Sequence, residues 1–157
     1  MKITFCIVFL FITITIQAQK KDYLKTRHKI ALSCGETIDS SHVFENIHKL
    51  EALDTSRIKK NLHQYYLDLG AAYWLASGLK QKPYADKSIV AFNKVFYHEP
   101  HNRRALWDLA FVYGFLHNCE RARAYFVEYH KYTPVMFDTV YSSQQEKELL
   151  DKCESTE

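Results

Sequence analysis

Leu106-x2-Leu109-Ala110-x2-Tyr113, followed by Ala122-x3-Phe126 and closed by Pro134, is the stretch that decides the fold. Leu106, Leu109, Ala110 and Tyr113 stand at i, i+3, i+4 and i+7, so they share one face of a helix. The small side chain of Ala110 lets a neighbouring helix come close. Ala122, Phe126 and Tyr129 carry a second helix, which Pro134 stops because its nitrogen has no proton to donate. Between the two, His117-Asn118-Cys119-Glu120 is too polar to continue the apolar stripe. The same order occurs earlier as Tyr66-x2-Leu69-Gly70-x2-Tyr73, Ser88-x3-Phe92 and Pro100, and the two closing prolines stand 34 positions apart. Each copy predicts a helical hairpin. The first has six more residues between its halves, and Gly78, Lys80, Lys82 and Pro83 mark that insertion as a surface loop.

This order of large, small and aromatic positions resembles the tetratricopeptide repeat, over residues 63–134 and best in the units 63–100 and 103–134. The resemblance implies an all-α solenoid of helical hairpins and a surface for holding a protein or peptide partner rather than a catalytic pocket. The first helix of each repeat faces the concave side in that family. Carried over by position, this assigns Gln64, Leu67, Ala71 and Trp74 from the first unit to a binding groove. The second unit adds Arg104, Trp107, Asp108, Phe111 and Phe115. Trp and Arg dominate binding hot spots, yet the same aromatics would serve as core if the N-terminal helices covered them, and the sequence leaves both open. The chain departs from the family pattern at Val95 and Tyr129, where a small residue is usual. The larger side chains there are expected to push adjacent helices apart.

Two hairpins cannot bury the outer faces of their end units, and about three are normally needed. The flanking segments therefore read as capping helices within one domain over 19–157. Asp22–Cys34 has helical spacing and stops at Gly35. Ser40-Ser41 can cap a helix through Val43, Phe44, Ile47, Leu50 and Leu53, and Asp54-Thr55-Ser56 can cap the long helix that enters the first unit. Ser142-Ser143, followed by Gln145, Glu146 and Glu148, open a last helix whose apolar side is Leu149 and Leu150. No stretch alternates with period two for long enough to predict a strand, so about seven helices are expected.

Met1-Lys2, the uncharged run Ile3–Ile16 and then Gln17-Ala18-Gln19 read as a cleaved secretion signal over 1–18, with an uncleaved anchor as the other reading because Ile16 stands where a smaller residue is commoner. The run is shorter than the ~20 residues a helix needs to cross a bilayer, so no stable membrane span is expected after cleavage. The mature chain is expected to be periplasmic or secreted. There Cys34, Cys119 and Cys153 meet oxidising conditions. Cys119 opens the last repeat helix, and an antiparallel helix starting near Ser142 would bring Cys153 back to the same edge. A Cys119–Cys153 disulfide is therefore one expectation, and two free thiols the other.

The net charge of +3 is spread over mixed basic and acidic residues, with no Lys/Arg stripe, so no nucleic-acid footprint is present. Only four glycines occur and none forms a phosphate cradle, so the sequence implies no cofactor and no catalytic residue. His98-Glu99-Pro100-His101 sets three ligand types across a proline-broken turn, without the second ligand pair that a metal needs. Asp68 and Asp108 recur at nearly equivalent places, which fits repeat architecture more than an acid pair. The chain reads as a binding scaffold and not an enzyme. A competing reading places an enzymatic or metal site in the non-repeat helices over 22–56.

Overall fold

The computed structural model describes residues 40–58, 61–79, 82–133 and 140–155. The secretion signal, its cleavage point at Ala18, the helix over 22–34 with Gly35, Cys34, Lys80 and the stop at Pro134 lie outside these. The described residues form α1 (Ser40–Glu51), a 3-10 turn (Thr55–Arg57), α2 (Leu62–Gly78), α3 (Lys82–Val95), α4 (Arg103–Phe115), α5 (Cys119–Tyr132) and α6 (Val140–Glu154). They contain no strand, and the fold is all-α.

Short polar side chains set the helix starts. Asn102 accepts from the amide of Ala105 at 2.9 Å to open α4, and Asn118 accepts from Arg121 at 3.1 Å to open α5. Each relieves an amide that has no carbonyl partner in the first turn. His117, just before Asn118, takes a left-handed φ of 55° and so turns the chain sharply between the two helices. Asp54 also caps, accepting from the Ser56 amide at 3.0 Å. It caps the 3-10 turn, however, and not the long helix expected to begin there. The break at this point lets Ile58 enter the core before α2 begins at Leu62.

The inserted loop expected between Tyr73 and Ser88 is mostly helix. α2 continues to Gly78 and α3 starts at Lys82. Pro83 lies in the first turn of α3, where its missing N–H removes no helical hydrogen bond. The extra residues thus extend α2 at its end and move the start of α3 further ahead of Ser88, so that α2 has 17 residues against 13 in α4 while α3 and α5 both have 14.

Successive helices pack on one another, most extensively α2 on α3 and α4 on α5, while α2 also reaches α4 and α4 reaches α6. Close approach within the first hairpin depends on Gly70. The Phe92 ring lies over it, and Ser88 donates to its carbonyl at 3.0 Å. One core cluster joins Val43, Ile47 and Leu50 of α1 to Tyr65, Leu69 and Ala76 of α2, and the Tyr65 hydroxyl donates to the Leu50 carbonyl at 3.1 Å. A second gathers Leu67, Phe92, Val95, Leu109, Val112 and Ala122. Full burial of each large aliphatic side chain contributes about 1.5–3 kcal/mol before ordering costs. At the far end Cys119 and Cys153 form a disulfide with Cα atoms 5.7 Å apart.

Candidate functional site: the aromatic side of α2 and α4

The repeat register places polar pairs at the N-terminal ends of both first helices. Gln64 donates to Asp68 at 2.8 Å on α2, and Arg104 donates through Nε to Asp108 at 2.7 Å on α4. Both are i,i+4 pairs, which face each other one helical turn apart. Asp108 keeps only 12% of its side chain exposed while Arg104 stays in solvent. Burial pushes the Asp108 carboxyl above the usual carboxylate range, and the Arg104 guanidinium draws it part of the way back.

Beyond these pairs the surface is aromatic. Trp107, Phe111 and Phe115 follow one another at i, i+4 and i+8 along α4, so they form one row. The row divides in two. Trp107 turns toward the second helix of its own hairpin, with ring centroids 5.3 Å from Phe126 and 5.0 Å from Tyr129, and Phe111 lies 5.1 Å from Trp107 and 5.8 Å from Phe126. Trp107 and Phe111 are half-buried in this cluster, neither sealed in the core nor standing free. Phe115, by contrast, meets Trp74 of α2 edge to face at 5.2 Å and remains 43% exposed. This contact joins the first helices of two successive hairpins.

Of the remaining positions assigned by resemblance, Ala71 is half-buried, and Leu67 is 9% exposed within the second core cluster. Leu67 therefore serves packing and offers no side chain to a partner. The aromatic side is divided between packing and presentation: Trp74, Trp107 and Phe111 are half-buried and do some of both, while Phe115 is the ring left exposed.

Sequence reasoning missed a recurring cation–aromatic pairing. Lys87 of α3 lies 5.4 Å from the Tyr73 ring centroid, and Arg121 of α5 lies 5.3 Å from that of Tyr113 while donating to its hydroxyl at 3.1 Å. Lys87 and Arg121 are one repeat offset apart and the two tyrosines share a motif position, so the signal was present in the sequence. Tyr73 also donates to Glu51 at 2.7 Å, and burial together with that hydrogen bond raises its pKa well above the usual phenol value.

The histidine-rich turn before α4 sends its side chains to separate partners. His98 stacks on Tyr66, His101 stacks on Tyr132 with centroids 4.1 Å apart, and Glu99 pairs with Asn102 and with His63 at 3.4 Å. Among the described residues no group of three or more His, Cys, Asp or Glu is arranged to hold a metal ion. Among the same residues, no helix is long and apolar enough to cross a membrane. Comparison with known proteins finds no matching family model, no similar curated protein and no similar solved structure.

Proposed function

We propose that this chain is an exported scaffold of tetratricopeptide-repeat type that holds a protein or peptide partner against the aromatic side of α2 and α4. The observation that carries the reading is the Trp74–Phe115 contact. It places two large rings across the junction of successive hairpins and leaves Phe115 in part uncovered. Aromatic anchors of this kind supply most of the energy of protein interfaces, with the Arg104–Asp108 pair as polar groups toward the other end of α4. The succession of helical hairpins with a small residue at Gly70 and Ala110 supports the repeat reading. The apolar run Ile3–Ile16 and the Cys119–Cys153 disulfide support export, because disulfides persist in oxidising compartments.

The test is selection of peptides from a random phage-displayed library on the mature chain. Selected peptides are expected to lose about 2 kcal/mol or more of affinity when Trp74 and Phe115 are both replaced by alanine, with helical content unchanged. Equal binding to parent and double variant would place the peptide elsewhere. Export is checked separately by N-terminal sequencing, which is expected to begin near Gln19; an intact Met1 in a cytosolic fraction would remove the export reading.

A further inference from the structure

Tyr73 and Tyr113 hold the same position in the two hairpins, yet the second helix of each hairpin treats them differently. In the second, Tyr125 of α5 lies flat on Tyr113, with centroids 5.4 Å apart and planes 9° from parallel. The residue of α3 that corresponds to Tyr125, one repeat offset earlier, is Ala91. With a methyl group where the other hairpin has a phenol, a hollow of about 350 Å³ stays open beside Tyr73, lined also by Tyr66, Leu69, Val90 and Ala91. That volume lies at the lower end of the range for small-molecule sites. Val90 is 57% exposed at its rim, an unusual place for a large aliphatic side chain on a polar helix face.

The charges around the hollow are unequal. At one end Glu51 is already engaged, accepting from the Tyr73 hydroxyl and pairing with Lys87 at 3.6 Å, and Asp86 stands nearby on α3. At the other end the Lys94 ammonium lies 5.2 Å from the Tyr66 ring centroid. Asp86 and Lys94 are roughly 12 Å apart along the helix axis at 1.5 Å per residue, too far for one small zwitterion to bridge. The residue of α5 that corresponds to Lys94 is Glu128, so the cation accompanies the open hollow and is not a property of the repeat.

We infer that this hollow binds a small aromatic carboxylate. The ring takes the place that Tyr125 fills in the second hairpin, against Tyr73, and the carboxylate receives a charge-assisted hydrogen bond from Lys94. Tyr66, Leu69 and Tyr73 lie on a different side of α2 from Leu67, Ala71 and Trp74, so this site is independent of the peptide surface proposed above.

The probe is 3-phenylpropionate, titrated into the isotope-labelled mature protein and followed by NMR. Saturable shifts are expected at the Val90 and Ala91 methyls and at Lys94. Lys94→Glu, which installs the second hairpin's residue at an exposed position, is expected to weaken binding by about tenfold or more, the loss of one charge-assisted contact. Ala91→Tyr, which installs the ring itself, is expected to abolish binding; should that variant fail to fold, the Lys94→Glu comparison decides alone. Absence of saturable shifts, or unchanged affinity in Lys94→Glu, overturns the inference. So does tighter binding of phenethylamine, which would make the acidic end the recognising one. Tighter binding of the peptide Gly-Gly-Phe would overturn it too, by assigning the hollow to a peptide terminus.

Discussion

Gly70, Gly78 and Gly114 are alike in sequence and unlike in surroundings, which makes their alanine variants a measure of how closely the helices approach. A Cβ at Gly70 would stand 2.6 Å from the Phe92 ring, which is fully buried and has no room to retreat. Alanine is the better helix former by about 1 kcal/mol, but overpacking a filled core costs about 1–3 kcal/mol. Gly70→Ala is therefore expected to lose up to about 2 kcal/mol. At Gly114 the added atom meets the end of the half-buried Leu149 side chain at 2.7 Å, and that side chain can swing, so the change is expected to lie within about 0.5 kcal/mol of neutral. Gly78 faces open space, and Gly78→Ala is expected to gain about 0.4–1 kcal/mol. Urea unfolding orders the three; a Gly70→Ala as stable as Gly78→Ala would mean that α2 and α3 are not in contact there. Asp108 makes a second measurement at this scale. Its carboxyl is raised by burial, so the folded state binds the proton more tightly than the unfolded state. The associated stability is complete below the unfolded pKa and is lost as pH rises through the folded one. Asp108→Asn is thus expected to be more stable than the parent at pH 7, with the advantage shrinking as pH falls through the raised folded pKa and gone below about pH 4, where the parent is protonated in both states. Unfolding at both pH values checks it. The sequence disclosed the close approach at Gly70, because a small residue within an apolar stripe has few other uses. It did not disclose the hollow beside Ala91. Periodicity says which face is apolar, not whether the space opposite a small side chain is filled.

Helix ends were less legible than helix faces. Gly78 and Pro83 suggested a loop, yet a glycine at the last position of α2 and a proline in the first turn of α3 are both compatible with helix, and the flanking apolar residues gain by continuing it. Asp54 was legible as a cap but not as the cap of a separate turn, since the burial of Ile58 that ends the turn is a tertiary event. For α6 the sequence offered Leu149, Leu150 and two cysteines, and in the structure each holds the helix. Leu149 covers Gly114, Leu150 packs on the second core cluster, and Cys153 is bonded to Cys119. Polar contacts add to these, His130 to Glu146 at 2.7 Å and Arg123 to Glu154. A bridge over a sequence separation of 34 contributes about 3–4 kcal/mol in the chain-entropy model, comparable with the burial of the two leucines. Reduction, or Cys119→Ser with Cys153→Ser, is expected to speed amide hydrogen exchange in α6 strongly while leaving α2 and α3 protected. Unchanged exchange in α6 would show that the leucines hold it unaided.

The helices of this molecule pack chiefly on their neighbours in the chain, and that arrangement makes stability local in a way a single central core does not. α1 packs chiefly on α2, through Val43, Ile47 and Leu50, whereas α4 touches α2, α3, α5 and α6. Leu50 and Leu109 are both fully buried, so truncation of either to alanine removes the same atoms and is expected to cost about 2–5 kcal/mol at its own site. The two losses should differ in reach. Leu50→Ala is expected to loosen α1 and the start of α2 while α4 and α5 keep their slowest-exchanging amides, because no large part of the second cluster depends on α1. Leu109→Ala removes a side chain from the cluster that α2, α3, α4 and α5 all contribute to. Exchange should then accelerate along α2 to α5 together. Native-state hydrogen exchange on the two variants separates these outcomes, since it reports the opening free energy of each segment. The same uniform acceleration in both would mean that the helices rise and fall as one cooperative unit. In that case the repeat pattern in the sequence would describe how the chain is arranged in space, without describing how its stability is distributed.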